Sequence, residues 1–523
     1  MTSNTNSGSK LSRVLVYAYE TLNCHSNRLS LFIILGCFLA IFVLRFYMIF
    51  LYQSDLGGVE SNVIYSILRV LGGYPLYEDP ELPPYSITQY SPLYYYFVVG
   101  ICKLLLLEPE NLHAIYIVNR SLSLLANLVF AFLVAFILRK IFKTAPIVQG
   151  IAGTFSFVYL EAESFARPDS LYNVTVLFTI FLFLKCLDEK KSITRRWLLV
   201  LAAVFSVITV FIKQSGIYLP FLIIVYLAFF LPSWKDLIVA IGWMLISFIT
   251  LLYTAKGTEI DIFLKNTIGG VNNGASYSWW VMRILELHLQ RESVLDISGL
   301  FLGGWYLVKG REHTYQFLGL SIFITFLFAN VTGLKIGSAP NYFTEFLAVT
   351  FIAIGSFVYQ YRVQLQKRVF FYLPTFGLLL VIFTIGTRTL ALLDEYPKFG
   401  SITYKTYLQN LEVKEYLREV GLNDGDLVFT TTHRYDFLNK ILYKHSAFPQ
   451  KEIVLVSPED AFDYTDFERS IVNGKIKFFL ERKDGSYEDP GINEHFLGAD
   501  FHSFKLIWEM HGYSIYQNPA SSK

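Results

Sequence analysis

The sequence is short of charge: only 16% of its 523 residues are Asp, Glu, Lys or Arg, whereas soluble domains run near a quarter. With 54% of the chain apolar, that shortage excludes a soluble enzyme. Cysteine is scarce too. Cys24, Cys37, Cys102 and Cys186 lie in or beside apolar runs with no CxxC spacing, so neither a disulfide framework nor a zinc site is expected. A net charge of +2 leaves no basic excess for a nucleic-acid partner. Internal repeats and low-complexity linkers are missing. So is a cleavable leader: residues 1–28 are polar and mildly basic, and the following apolar run is too long and has no small-residue cleavage site. That run reads as a retained first span.

What charge there is lies unevenly. Residues 393–523 hold 36 of the 86 charged side chains, about 27% of that segment against about 13% of the part before it. The first part is membrane-like and the second has the composition of a soluble domain. Runs of spanning or near-spanning length occur at 30–52, 114–138, 145–165, 168–186, 197–212, 217–232, 236–254, 294–308, 316–332, 343–361 and 369–392. A further run, 92–107, is short enough to be either a span or an interfacial helix.

The basic clusters decide between those readings. Lys10, Arg13 and Arg28; Arg139, Lys140 and Lys143; Lys190, Lys191, Arg195 and Arg196; Lys309 and Arg311; and Arg362, Lys367 and Arg368 can all be cytoplasmic only if 92–107 does not cross. The expected organisation is therefore a cytoplasmic N-terminus (1–29), a membrane domain of eleven spans (30–392) with a first external loop at 53–113, and an exported domain at 393–523. The weakest span is 294–308, which carries Asp296. In the exported part, β-rich runs at 427–432, 453–456, 476–480 and 514–516 alternate with a helical stretch at 408–420, and Gly421 to Asp426 has turn chemistry. A small α/β domain is expected there.

Polar residues gather on the external side. The first loop carries Asp55 and Glu60, then Gly73-Tyr74-Pro75-Leu76-Tyr77, then Gln89-Tyr90-Ser91-Pro92-Leu93-Tyr94-Tyr95. Later external segments supply Arg167-Pro168-Asp169, Lys213-Gln214, and Lys335-Ile336-Gly337 followed by Asn341-Tyr342-Phe343 with Glu345. This series, in this order, resembles superfamily C (GT-C) glycosyltransferases, in particular a bacterial branch with dolichyl-phosphate-mannose-transferase-like members of family 39 type. The likeness covers most of residues 30–361.

The resemblance implies a polytopic α-helical enzyme of the cytoplasmic membrane of bacteria, transferring a monosaccharide with inversion from a polyprenyl-phosphate-linked donor. The acceptor would be an extracytoplasmic glycan, lipid or protein. A carboxylate serves such chemistry as base, and Arg or Lys holds phosphate oxygens. Glu60 and Asp55 are the candidate bases. Many relatives carry an Asp-Glu pair where this chain has Val59-Glu60, so spacing favours Glu60, with Asp55 the alternative one turn earlier. Arg167, Lys213 and Lys335 are the candidate phosphate ligands, Asp169 an orienting or metal-holding carboxylate, and Gln89, Tyr90, Asn341 and Tyr342 the candidate substrate contacts. A divalent cation, Mg or Mn, would share the phosphate.

Two other classes stay open on sequence. A lipid-sugar flippase or polysaccharide transporter would line a cavity through the bilayer with polar residues, whereas here they gather at one mouth. A noncatalytic envelope scaffold would explain the replaced Asp at Val59. Each site residue also has a plainer role open to it: interfacial anchors for Asp55 and Glu60, a helix cap for Asp169, snorkelling for Lys335, aromatic-belt positions for Tyr94 to Tyr96. His433, His445, His495, His502 and His511 show no metal-ligand spacing and read as surface or packing residues.

Overall fold

The computed structural model describes residues 32, 34–56, 60–159, 165–231, 233–255, 257–361, 400–430, 437–448, 462–482, 501 and 503–522. The apolar runs become helices in the expected order: α1 (Ile34–Ile49), α4 (Leu112–Lys140), α5 (Pro146–Tyr159), α6 (Asp169–Asp188), α7 (Ser192–Ile212), α8 (Tyr218–Phe229), α9 (Trp234–Ala255), α12 (Glu286–Lys309), α13 (His313–Gly333) and α14 (Thr344–Gln360). Between them lie α2 (Glu60–Leu71), α3 (Pro92–Leu104), α10 (Ile260–Thr267) and the single turn α11 (Tyr277–Trp279). Six helices among the described residues are long and apolar enough to cross a membrane, so the chain is an integral membrane protein. The expected span at 369–392 lies outside the described residues, as do 1–31 and the strand expected at 453–456.

Helix α3 has 13 residues, about 20 Å of rise, too short for a hydrocarbon core of about 30 Å. Its Tyr94, Tyr95, Val98, Val99 and Cys102 are buried against the bundle, while Phe97, Leu104, Leu105 and Leu106 at its outer face and end are exposed. Helix α12 starts earlier than the span 294–308 and follows a π-helical turn, Trp280–Leu285. It tolerates Asp296 because that carboxylate is turned inward, 3.0 Å from His288 Nε2, with the imidazole stacked 3.8 Å from the ring of Phe343.

The helix ends sort by chemistry. The basic residues after α4, between α6 and α7, and after α12 lie at one end, where Arg195 pairs with Asp236 at the start of α9. Asp169, Lys213, Asn341 and the start of α4 lie at the other, because α4, α6 and α14 begin there and α7 and α13 finish there.

The C-terminal part is a five-stranded sheet ordered β2-β1-β3-β5-β4, made of β1 (Leu427–Thr430), β2 (Ser446–Ala447), β3 (Ile476–Arg482), β4 (Lys505–Met510) and β5 (Tyr513–Gln517). β1 runs parallel to β2 and β3, and β5 antiparallel to β3 and β4. The helix expected at 408–420 extends back to Gly400, and the expected turn follows it with Gly421 at φ +98° and Gly425 at +90°. β4 has no counterpart in the sequence reading. It is an edge strand with Leu506 and Trp508 half exposed, so it lacks the alternation that burial of one face imposes.

This sheet domain sits on the first loop. Tyr85 and Ile87 are packed into its core beside Phe429, Phe448 and Phe467, and the Tyr85 hydroxyl donates to Asp466 at 2.8 Å. Lys440 and Tyr443 reach α2: the buried ammonium donates to Ser61 Oγ at 2.9 Å, and Arg69 Nη1 to the Tyr443 carbonyl at 3.3 Å. Arg69 also pairs with Glu78, whose carboxyl burial pushes up although the guanidinium opposes that. The domain therefore lies at the same end of the bundle as Asp169 and Lys213.

Candidate active site

Two clusters form where the helix ends meet. The first is built on Arg120, wholly buried in the third turn of α4. Its guanidinium grips Glu60 with two parallel bonds of 2.8 Å, and donates to the carbonyls of Leu51 at 2.8 Å and Gln53 at 2.6 Å. Glu60, at 0% exposure, accepts two more bonds: Leu56 N donates to one oxygen and Ala166 N to the other, both at 2.9 Å. Each carboxylate oxygen thus holds two donors.

The effect of that network falls on residues 51–56. The Tyr116 hydroxyl donates to the Ser54 carbonyl at 2.7 Å, and the Tyr116 ring lies under the Arg120 guanidinium. Asp55 is buried between these fixed points, its own carbonyl accepting from Gln53 Nε2 at 3.3 Å. The chain around Asp55 is therefore held from both sides, which is what a positioned carboxylate requires. Residues 57–59, including Val59, lie outside the described residues.

The second cluster surrounds Asp169, 1% exposed at the start of α6. Lys213 Nζ lies 2.7 Å from one carboxylate oxygen and Asn341 Nδ2 3.1 Å from the same oxygen, while Arg167 Nε lies 3.2 Å from the other. The Lys213 ammonium is flanked by the rings of Tyr342 at 5.1 Å and Tyr172 at 5.4 Å. Burial disfavours its charge, but Asp169, Tyr342 and Tyr90 outweigh that and hold its pKa above the ordinary lysine value. Burial likewise pushes the Tyr90 phenol up to about 12, so it is a hydrogen-bond donor at neutral pH, in the field of Arg167, Asp169 and Lys213.

Local sequence explains how these side chains arrive. Lys213 ends α7 and is followed by a 3₁₀ turn, Gln214–Ile217, folded so tightly that a Cβ on Gly216 would stand 2.9 Å from the Thr209 backbone. Gln214 then ties this turn to the first loop by donating to the Gln89 carbonyl at 2.7 Å, and Gln89 donates to the Gly270 carbonyl at 2.7 Å. Lys335 is half-buried in the loop after α13. That loop is pinned by a bridge to Ala275, by Ile336 N donating to Gly274 at 3.1 Å, and by Gly337 at φ +84°.

Of the ten residues singled out in sequence, Arg167, Asp169, Lys213, Asn341, Tyr342 and Tyr90 come together in one cluster. Glu60 and Asp55 share the other, and the two adjoin through Phe165-Ala166-Arg167 and through Tyr94, whose phenol feels Glu60, Asp169 and Arg167. Gln89 supports from behind, and Lys335 sits in the pinned loop. Sequence reasoning missed Arg120, although a lone arginine inside an apolar run was a signal. It also passed over Asn119, which accepts from the Tyr94 hydroxyl at 2.6 Å.

No family model matches the chain, and no curated protein matches it in sequence. Solved structures do. ArnT from Cupriavidus metallidurans bound to undecaprenyl phosphate aligns over 93% of this chain and 98% of that one, with 13% identity and a TM-score of 0.56. The Archaeoglobus fulgidus oligosaccharyltransferase AglB, in complex with an inhibitory peptide and a dolichol-phosphate, aligns over 94% of this chain and 74% of its own at 12% identity and a TM-score of 0.55. The oligosaccharyltransferase of the same organism with Zn and sulfate gives 0.54 at 13% identity, over 93% and 73%. The chain therefore shares the fold of these solved structures.

Proposed function

We propose that the protein is an inverting glycosyltransferase that uses a polyprenyl-phosphate-linked monosaccharide and acts on the extracytoplasmic face of the membrane. The observation that carries this reading is the Arg167-Lys213-Asp169-Asn341 cluster, which packs two cations against one carboxylate at a buried end of the bundle. Their sum is one unit of positive charge, matched to a lipid phosphodiester. Undecaprenyl phosphate and dolichol phosphate, bound by structural neighbours, are the lipid monophosphates that such a donor leaves behind on transfer. The flippase reading draws less support, because the clusters lie at one end of the helices.

In the reaction, an acceptor hydroxyl oxygen attacks C1 of the sugar, the bond from C1 to the phosphate oxygen breaks, and the lipid phosphate leaves with that electron pair. Asp55 takes the hydroxyl proton. Glu60 suits this role less, since its four bonds leave no lone pair turned toward a substrate, and protonation would break a buried ion pair. As the bond breaks, the phosphate charge grows from one toward two, and Arg167 and Lys213 stabilise that growth. Asp169 and Glu60 are already paired with cations, and among the described residues no group of three His, Cys, Asp or Glu side chains could hold a metal, so a divalent cation would have to be shared with the donor phosphate. No step here passes through one.

Incubation of the purified protein with undecaprenyl-phosphate sugars tests the function, donor consumption being the expected result. Arg167→Ala should slow it about 30-fold, roughly 2 kcal/mol for a charge-assisted bond in a dry site, with only partial rescue by Arg167→Lys. Unchanged kinetics would take Arg167 out of the site.

The same reading places residues 393–523 and the loop after α3 outside. Glu108→Cys and Asn111→Cys, both at exposed positions, should react with an impermeant maleimide from the external side of right-side-out vesicles. Reaction only after permeabilisation would invert the topology.

A further inference from the structure

The backbone on both sides of Asp55 is held by residues of the membrane domain, but side chains that flank it in the chain are held by the exported domain. Tyr52, three residues before Asp55, lies face to face with His113 in the first turn of α4, the ring centroids 3.6 Å apart and the planes 8° from parallel. Against the same Tyr52 ring stand two tyrosines of the helix Gly400–Glu419, Tyr404 at 4.7 Å and Tyr407 at 5.4 Å. Phe437, 2% exposed, links this group to a second one: its ring meets Tyr407 edge-on at 5.2 Å and Tyr116 edge-on at 6.0 Å. Tyr116 is the residue whose hydroxyl fixes the Ser54 carbonyl. Three residues after Phe437, buried Lys440 donates to Ser61 Oγ at 2.9 Å, next in the chain to Glu60.

The exported domain thus reaches residues 52–61 at three points, and each contact ends on a group that shapes the loop around Asp55. Anchoring the domain does not require this route, since Tyr85 and Ile87 already seat the first loop in its core. Interlocked rings transmit position with little slack, because close-packed interiors pass strain on rather than absorb it. A reacting group misplaced by about 1 Å costs on the order of 100-fold in rate. Small shifts of Tyr52 or Tyr116 are therefore enough to be felt at the Asp55 carboxylate.

We infer that the exported domain sets the position of the base: Tyr407 and Phe437 are positioning residues that act on Asp55 through Tyr52 and Tyr116. The inference rests on the proposed function, with Asp55 as its base, and deepens it. Proton transfer is then competent only while the exported domain is seated on the first loop.

The test follows consumption of an undecaprenyl-phosphate sugar by the full-length protein, with binding of bare undecaprenyl phosphate measured alongside. Tyr407→Ala and Phe437→Leu should each lower kcat about 10-fold and leave KM for the donor and binding of the bare lipid unchanged. Tyr407→Phe keeps the ring and should retain most of the turnover. The deciding arm repeats Tyr407→Ala and Phe437→Leu in the Asp55→Asn protein. With the base gone its position no longer matters, so each should now cost less than about 2-fold. An undiminished loss in that background would mean that these residues act through stability or through the phosphate cluster, and would overturn the inference. Wild-type kcat in both single variants would overturn it too. Full turnover by Asp55→Asn would remove Asp55 as base and the positioning of it, while leaving the glycosyltransferase reading intact. Failure of wild type to consume any such donor would remove that reading and the inference with it.

Discussion

Asp55→Asn should cut turnover by about 100-fold or more, the usual scale of a lost general base, while binding of undecaprenyl phosphate and the melting temperature stay near wild type. The expectation follows from how the two carboxylates of the first loop are employed. Glu60 is consumed by its neighbours: Arg120 donates two bonds, and the amides of Leu56 and Ala166 one each. Asp55 stands between the carbonyl that Tyr116 fixes and the amide that Glu60 fixes, so its side chain is positioned by bonds made to the backbone on either side. A carboxamide at Asp55 keeps the shape and loses the ability to take a proton. Glu60→Gln, by contrast, should lower turnover only as far as it loosens residues 51–56. If Glu60→Gln proves the more damaging to kcat at unchanged thermal stability, the base is Glu60 and the reading of the loop is wrong.

That contrast also shows where sequence reasoning stops. Hydropathy and basic loops placed the helices, because a bilayer imposes length and composition on every span. The motif series picked out the Asp169 cluster, since Arg167, Asp169, Lys213 and Asn341 all flank helix ends and face the same side. Spacing favours Glu60 over Asp55, whereas the base we propose is Asp55. The deciding partner, Arg120, comes from another helix, and nothing within the first loop announces it. Similar reasons hid β4, whose exposed edge carries no period, and the inward turn of Asp296, which depends on His288 two turns away.

The parts of the site have different tolerances. In the Asp169 cluster the cations outnumber the carboxylate, an arrangement left open to an anion, and changes there should be felt in binding and rate. In the Arg120 cluster charges cancel one to one and the remaining donors are spent on backbone carbonyls, an arrangement complete in itself. Stabilisation of the phosphate is therefore expected from the first, and from the Arg120–Glu60 pair the positioning of Asp55 as base.

Arg120→Met should consequently be the most destabilising single change at the site, costing about 3–5 kcal/mol, because it strands the Glu60 carboxylate at 0% exposure with no cation. Glu60→Met should cost a similar amount by stranding the guanidinium. The double variant is the informative one: replacing both partners of a buried pair removes both stranded charges, so much of the stability should return. Activity should not return with it. The carbonyls of Leu51 and Gln53 lose their donor and the Leu56 amide its acceptor, so Asp55 is no longer held in place even in a well-folded protein. Denaturation midpoints and donor consumption measured on the two single variants and the double variant decide the matter. Recovery of both stability and turnover would mean the pair is only a packing device. An Arg120→Met variant within about 1 kcal/mol of wild type would mean that Glu60 is not a stranded charge at all.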